Sequence, residues 1–256
     1  MANAFIWYEL MTTDAAAAKA FYAAVVGWET EDLGGPHNGY TLFKAGGRGV
    51  GGLMTLPAEA CEKGGSPAWA GYVAVADADA AAKRIEAAGG VILRAPEDIP
   101  EVGRFAVVAD PHSATFMLLT PSPRDDVPPP VPRMTRGHIG WHELYAADGD
   151  AAFAFYSDQF GWRESAAMDM GAMGTYRLWS VDEGEPVGGM MTKPPQMPKP
   201  AWNFYFVVDG VDAAAARIAD NGGRVTNGPM EVPDGSWIVM GLDPHGASFA
   251  LVSEKR

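Results

Sequence analysis

Two glutamates are the first candidates for chemistry. Glu9 stands in Trp7-Tyr8-Glu9-Leu10 and Glu143 in Trp141-His142-Glu143-Leu144, the same short motif restated 134 residues later. A carboxylate beside an indole loses part of its hydration, which raises its pKa and suits it to general acid or base work. A glutamate bonded to backbone or to an arginine would only fix a sheet, and the residues alone leave both readings standing. The other polar candidates are poorer. His112 and His245 each follow Asp-Pro and precede a small residue, the pattern of a surface turn. His138 and His142 lie four apart, but no carboxylate or third histidine is spaced to complete a metal site with them, and His37 falls in a Gly-Gly-Pro-His-Asn-Gly loop. Cys61 is the one cysteine, which excludes an intramolecular disulfide and a thiolate zinc site. GGRGVGG (46–52) lacks the strand-to-helix setting of a phosphate loop.

The elements that must carry these residues occur twice. Residues 7–29 and 141–163 agree at 11 of 23 positions, and 69–92 and 202–225 agree at 11 of 24. Asp110-Pro111-His112 returns as Asp243-Pro244-His245. Repetition on this scale means a duplicated architecture. Each half divides again. Residues 5–12 alternate as a strand, and 14–26 read as a helix opened by an Asp cap and closed by Gly27. Strands at 40–43 and 51–56 follow, then the order restarts with a strand at 70–75, a helix at 79–88 and strands at 104–108 and 114–119. Four strand–helix–strands quarters result, near 4–57, 68–121, 138–194 and 201–254. The expected domains are 1–121 and 136–256, joined by a proline-rich linker over 122–135 that can neither pair in a sheet nor continue a helix.

Side chains two apart on a strand share a face. Trp7, Glu9 and Met11 therefore point one way, and Tyr8, Leu10 and Thr12 point toward the helix. One helix covers one face of a small sheet, so two quarters side by side leave a concave face as a pocket. The second half is rich in methionine, and the loop expected at AAMDMGAMG (166–174) reads equally as a lid or as gap-filling core.

Composition narrows the partners. With 48% hydrophobic and 20% charged residues the chain can fill a packed core. A formal net charge of −13 disfavours nucleic acid and anionic membrane surfaces. The first residues carry no basic cluster ahead of an apolar run, and no stretch reaches the roughly 20 apolar residues of a membrane helix. The expectation is a cytoplasmic protein, monomer or homodimer, whose partner is a small molecule.

The strand-Asp-helix-Phe-Tyr-x4-Gly-Trp opening of each half, the central Asp-helix-Gly-Gly unit and the closing Asp-Pro-His-x-Ala-x-Phe strand resemble the vicinal oxygen chelate superfamily. That superfamily includes glyoxalase I, bleomycin-resistance proteins and extradiol dioxygenases, and the likeness is to its two-domain, glyoxalase-like branch. It implies an α+β fold of four βαβββ modules forming two tandem half-barrel domains. It also implies a divalent metal held by His, Glu or Gln on the concave face and acting as a Lewis acid. Carried over, the ligand positions fall on Trp7 and Trp141, near Ala70 and Asn203, and on Met117 and Ala250. The resemblance thus implies a kept fold and a lost metal site, with no cofactor expected and no metal-ligating residue assigned. The function expected is binding of a small aromatic or apolar molecule, with Trp7, Tyr72, Trp141, Asn203 and Tyr205 as ligand contacts. Glu9 and Glu143 are the candidates for catalysis. The alternative is a metal-dependent or glutamate-based lyase, isomerase or dioxygenase. Asn203, where the first half has Ala70, makes the second half the expected active one.

Overall fold

The computed structural model describes residues 3–37, 39–62, 64–123 and 129–256. Part of the linker, 124–128, and Asn38 of the histidine loop lie outside the described residues. The first half runs β1 (Phe5–Thr12), α1 (Ala15–Val25), β2 (Glu29–Asp32), β3 (Tyr40–Ala45), β4 (Arg48–Thr55), α2 (Ala58–Glu62), β5 (Ala68–Ala74), α3 (Ala78–Ala87), β6 (Val91–Ile99), β7 (Gly103–Ala109) and β8 (Thr115–Pro121). The second half runs β9 (Ile139–Ala146), α4 (Gly149–Phe160), β10 (Arg163–Asp169), β11 (Thr175–Ser180), β12 (Gly188–Thr192), β13 (Ala201–Val207), α5 (Val211–Asp220), β14 (Arg224–Glu231), β15 (Trp237–Leu242) and β16 (Ser248–Ser253).

The strands form two eight-stranded sheets, ordered β2-β3-β4-β1-β5-β8-β7-β6 and β10-β11-β12-β9-β13-β16-β15-β14. In every quarter the first strand runs parallel to the last, as β1 does to β4 and β13 to β16. The strands before the last continue antiparallel. The expected βαβββ unit is therefore present four times, in an α+β fold. Among the described residues no helix is long and apolar enough to cross a membrane.

Helices α1, α3 and α4 begin where aspartate side chains satisfy free backbone N–H groups, while α5 starts after Gly210 with no side-chain cap. Asp14 accepts from Ala17 at 2.9 Å, and Asp148 from Asp150 and Ala151 at 3.0 Å each. Asp77 does the same for Ala80, so α3 starts before the Asp79 expected from sequence. α1 buries Ala18, Phe21, Tyr22 and Val25, the spacing of one helix face. Two edge strands, β2 and β10, were not legible as strands. β2 is Glu-Thr-Glu-Asp, exposed throughout, and the expected methionine loop is β10 followed by a short turn, with Met168 paired to Tyr176.

By contacts the chain divides into two compact units, neither of them continuous. One holds residues up to Ile6, Ala70–Pro129 and His142–Trp202; the other holds Trp7–Trp69, Pro130–Trp141 and Asn203–Arg256. Each has an aromatic core built on the same hydrogen-bond relay. In the second unit Trp69 Nε1 donates to the Tyr22 hydroxyl at 2.8 Å, and that hydroxyl donates to Asp243 Oδ2 at 3.3 Å. In the first unit Trp202 donates to Tyr156 at 3.1 Å and Tyr156 to Asp110 at 3.3 Å. The other oxygen of each aspartate closes its own turn. Asp110 accepts from His112 and Ala114, and Asp243 from His245 and Ala247, each bond 2.9 Å. The Tyr of Phe-Tyr, the Trp and the Asp of Asp-Pro-His are thus joined in a buried structural relay, with the Pro-His turn outside it.

Candidate functional site

β1 and β4 place Glu9 beside Gly52 and Met11 beside Met54, and β3 places Leu42 across from Gly52 and Tyr40 across from Met54. From β3 the Tyr40 ring lies over Gly52, where a Cβ would fall 1.8 Å from the tyrosine oxygen. Its hydroxyl accepts from Trp7 Nε1 at 2.9 Å and donates to the Glu9 carboxylate. Burial first, and then the charge of Glu9, push the Tyr40 pKa far above the ordinary tyrosine range, so the proton stays on Tyr40. Glu9 itself is 6% exposed. A hydroxyl donated to a carboxylate favours its ionised form. The Glu9 carboxylate is thus the acceptor of the Tyr40 hydroxyl.

The opposite strand face behaves as parity requires. Leu10 and Thr12 are fully buried, and the Tyr8 ring meets Phe204 edge-on at 5.1 Å.

The second half shows the same clearance over its glycine. Glu143, also 6% exposed, stands beside Gly189 in the β9–β12 register. Tyr176 lies over that glycine, with a Cβ there falling 2.1 Å from the ring carbon bearing its hydroxyl. Trp141 is packed by side chains from the linker end and the sheet. The Arg133 guanidinium stacks over its ring at 5.6 Å and reaches Asp234 at 3.6 Å. Trp141 and Met134 pack on a buried cluster of Tyr205, Val207, Ala250 and Val252. Gly140 permits this approach, because a Cβ there would come within 2.8 Å of Val252 and 3.2 Å of the Met134 sulfur.

Trp7 and Glu9 are brought together through Tyr40, and Trp141 and Tyr205 through the apolar cluster. Asn203 is buried and its Oδ1 accepts from Ser248 at 3.2 Å. Tyr72 is buried beside Met117, with its ring 6.4 Å from Phe105, over which Arg94 lies at 5.0 Å. Trp7, Glu9, Trp141, Asn203 and Tyr205 belong to the second unit, Tyr72 and Glu143 to the first. His142 is packed in the core. It stacks on Phe5 at 5.0 Å, its Nδ1 lies 2.7 Å from the Val187 carbonyl, and burial lowers its pKa to about 4. That makes Nδ1–H the donor and the ring neutral near pH 7. Among the described residues no three His, Cys, Asp or Glu side chains are grouped to hold a metal ion.

Tyr40, Tyr176, Gly52 and Gly189 are the site residues that the sequence reading missed. A signal for them exists outside the two matched windows. Tyr40-x-Leu42-Phe43 recurs as Tyr176-x-Leu178-Trp179, and Gly51-Gly52 as Gly188-Gly189.

The chain belongs to the Glyoxalase/Bleomycin resistance protein/Dioxygenase superfamily, whose family model matches residues 4–118 and again 137–251. It is 34% identical to CFP32 of Mycobacterium tuberculosis, provisionally named a glyoxylase, over 96% of this chain and 93% of that protein. It is 32% identical to the anthracycline biosynthesis protein DnrV of Streptomyces peucetius, over 96% of this chain and 91% of the relative. Among solved structures, the Mn(II)-bound glyoxalase from Novosphingobium aromaticivorans superposes with a TM-score of 0.64 at 19% identity, covering 98% of this chain and 81% of the other. The 2,2',3-trihydroxybiphenyl 1,2-dioxygenase of Sphingomonas wittichii gives 0.65 at 15% identity, covering 98% and 90%. At these identities the structural likeness is one of fold.

Proposed function

We propose that this superfamily member binds a small, flat, largely apolar organic molecule on the sheet faces that carry Trp7 with Glu9 and Trp141 with Glu143, without a metal ion. The observation that carries the reading is the chemistry of the positions where the superfamily places its metal ligands. They hold Trp7, Ala70 and Met117 in one half and Trp141, Asn203 and Ala250 in the other. Indole and methyl groups offer a cation no lone pair, a thioether is a soft donor, and Asn203 already spends its oxygen on Ser248. These residues do not fit a hard divalent cation. Aromatic and thioether surface in the same places suits stacking on a flat ligand. The similarity to a protein of anthracycline biosynthesis supports a polycyclic aromatic as the ligand class.

The test is a melting scan of the purified chain against flat aromatic compounds and against divalent cations. A rise of several degrees with an aromatic compound and none with Mn2+, Fe2+, Zn2+ or Ni2+ is expected. A rise with the cations alone contradicts the reading.

A second reading, acid–base catalysis by Glu9, is favoured by one observation: a proton-bearing Tyr40 is already hydrogen-bonded to that carboxylate. The double variant E9Q/E143Q tests it against any turnover found with dicarbonyl or catechol substrates. Unchanged turnover removes both glutamates from the chemistry.

A further inference from the structure

Gly52 is the residue that lets Tyr40 reach Glu9. Any side chain at 52 would occupy the place of the tyrosine hydroxyl, at 1.8 Å. The hydroxyl has one hydrogen. Trp7 Nε1 donates into its oxygen at 2.9 Å, so that hydrogen is left to point at the carboxylate. A buried carboxylate held this way is oriented, and while ionised it accepts hydrogen bonds and donates none. It therefore discriminates. A ligand with an O–H or N–H aimed at it is favoured, and one presenting only an ether or carbonyl oxygen meets lone pairs with lone pairs. The second half repeats the clearance, with Tyr176 across Gly189 and Glu143 as the register partner of that glycine.

We propose that Tyr40, given room by Gly52, is a positioning residue that fixes Glu9 as a hydrogen-bond acceptor, and that Tyr176, Gly189 and Glu143 repeat the device, so that the protein selects aromatic ligands bearing a hydroxyl or amine donor. The ligand half of this inference rests on the small-molecule reading above; the positioning half does not.

The experiment compares the full chain with Y40F/Y176F and with G52A. The phenylalanines keep the ring packing and remove only the hydroxyls; G52A keeps the hydroxyl and removes its space. The probes are 2-naphthol and 2-methoxynaphthalene, nearly equal in shape and differing in the donor. Their dissociation constants are measured alongside the Trp7 indole N–H signal in 15N-labelled protein. A hydrogen bond to a charged acceptor predicts that the wild type prefers 2-naphthol by about ten-fold. In Y40F/Y176F the preference should fall to about two-fold, because the Glu9 carboxylate loses the tyrosine hydroxyl that orients it. The Trp7 signal should move in Y40F/Y176F, and in G52A as well. Equal binding of the two probes by the wild type overturns the inference and leaves the small-molecule reading intact. Failure of both probes to bind overturns both. A preference that survives in Y40F/Y176F, or a Trp7 signal that does not move there, overturns the positioning role.

Discussion

Trp7 and Trp141 occupy the same place in the repeat, and each is anchored by contacts of its own. Trp7 is tied through its indole N–H to Tyr40, in line with a buried glutamate. Trp141 is held by its ring, between the Arg133 guanidinium and an apolar bed of Tyr205, Val207, Ala250 and Val252. The residues that hold it, Arg133 and Met134, follow the proline-rich stretch, so in the second half the end of the linker helps to cover the tryptophan. The Trp–Tyr–Asp relay, by contrast, is the same in both units down to the hydrogen-bond partners. The relay holds the fold in both units, and the end of the linker adds Arg133 and Met134 to the surroundings of Trp141.

The largest effect tests the shared side of the comparison. Asp243→Ala and Asp110→Ala each strip a buried carboxylate from two backbone N–H groups and a tyrosine hydroxyl. Each should cost about 3–5 kcal/mol in urea unfolding. The two losses should agree within about 1 kcal/mol if the relays are equivalent; a larger gap breaks the equivalence.

Folding stability should also depend on pH through His142. His142 stands where the first half has Tyr8, and burial lowers its pKa from 6.5 to about 4. Between those values the unfolded chain binds a proton that the folded one does not, so folding stability rises with pH across this window and is lost as pH falls from 6.5 to about 4. The full effect is about 3 kcal/mol. His142→Phe should flatten the slope of stability against pH in that interval, and a slope unaltered in the variant would show that another group titrates there.

Gly52→Ala and Gly189→Ala come third, at about 1–3 kcal/mol each, because the new methyl must displace a tyrosine ring. Calorimetric melting of the two variants measures whether the clearances are equally tight. Arg133→Ala should have the smallest effect, about 1 kcal/mol, from the lost stacking on Trp141. Its fluorescence change should vanish in a Trp141→Phe background and persist in Trp7→Phe; the reverse would misplace the asymmetry.

Much of the architecture was legible because it depends on local pattern repeated four times. Asp caps, helix faces and the alternation in β1 told which way Glu9 and Leu10 point, and burial of Leu10 and Thr12 agrees. The edge strands were hidden because they bury one face weakly or not at all: β2 has four exposed polar residues and no alternation to read. Two long-range contacts, one in the core and one at the site, were hidden for a different reason. Tyr22 and Asp243 are 221 residues apart, and no spacing rule pairs them. Tyr40 reaches Glu9 by crossing a strand that separates them, so its role depends on the register that places Gly52 beside Glu9. Tyr40 reads from sequence as one more strand aromatic until that register is known.

The central claim is that these faces take an organic ligand where their relatives in fold hold a metal. Its most direct test is elemental analysis of untagged protein purified without chelator and without added ions, with Mn, Fe, Ni and Zn counted per chain. The account predicts far less than one equivalent of any of them. One or two equivalents of a single metal, retained through gel filtration and lost in E9Q/E143Q, would contradict it.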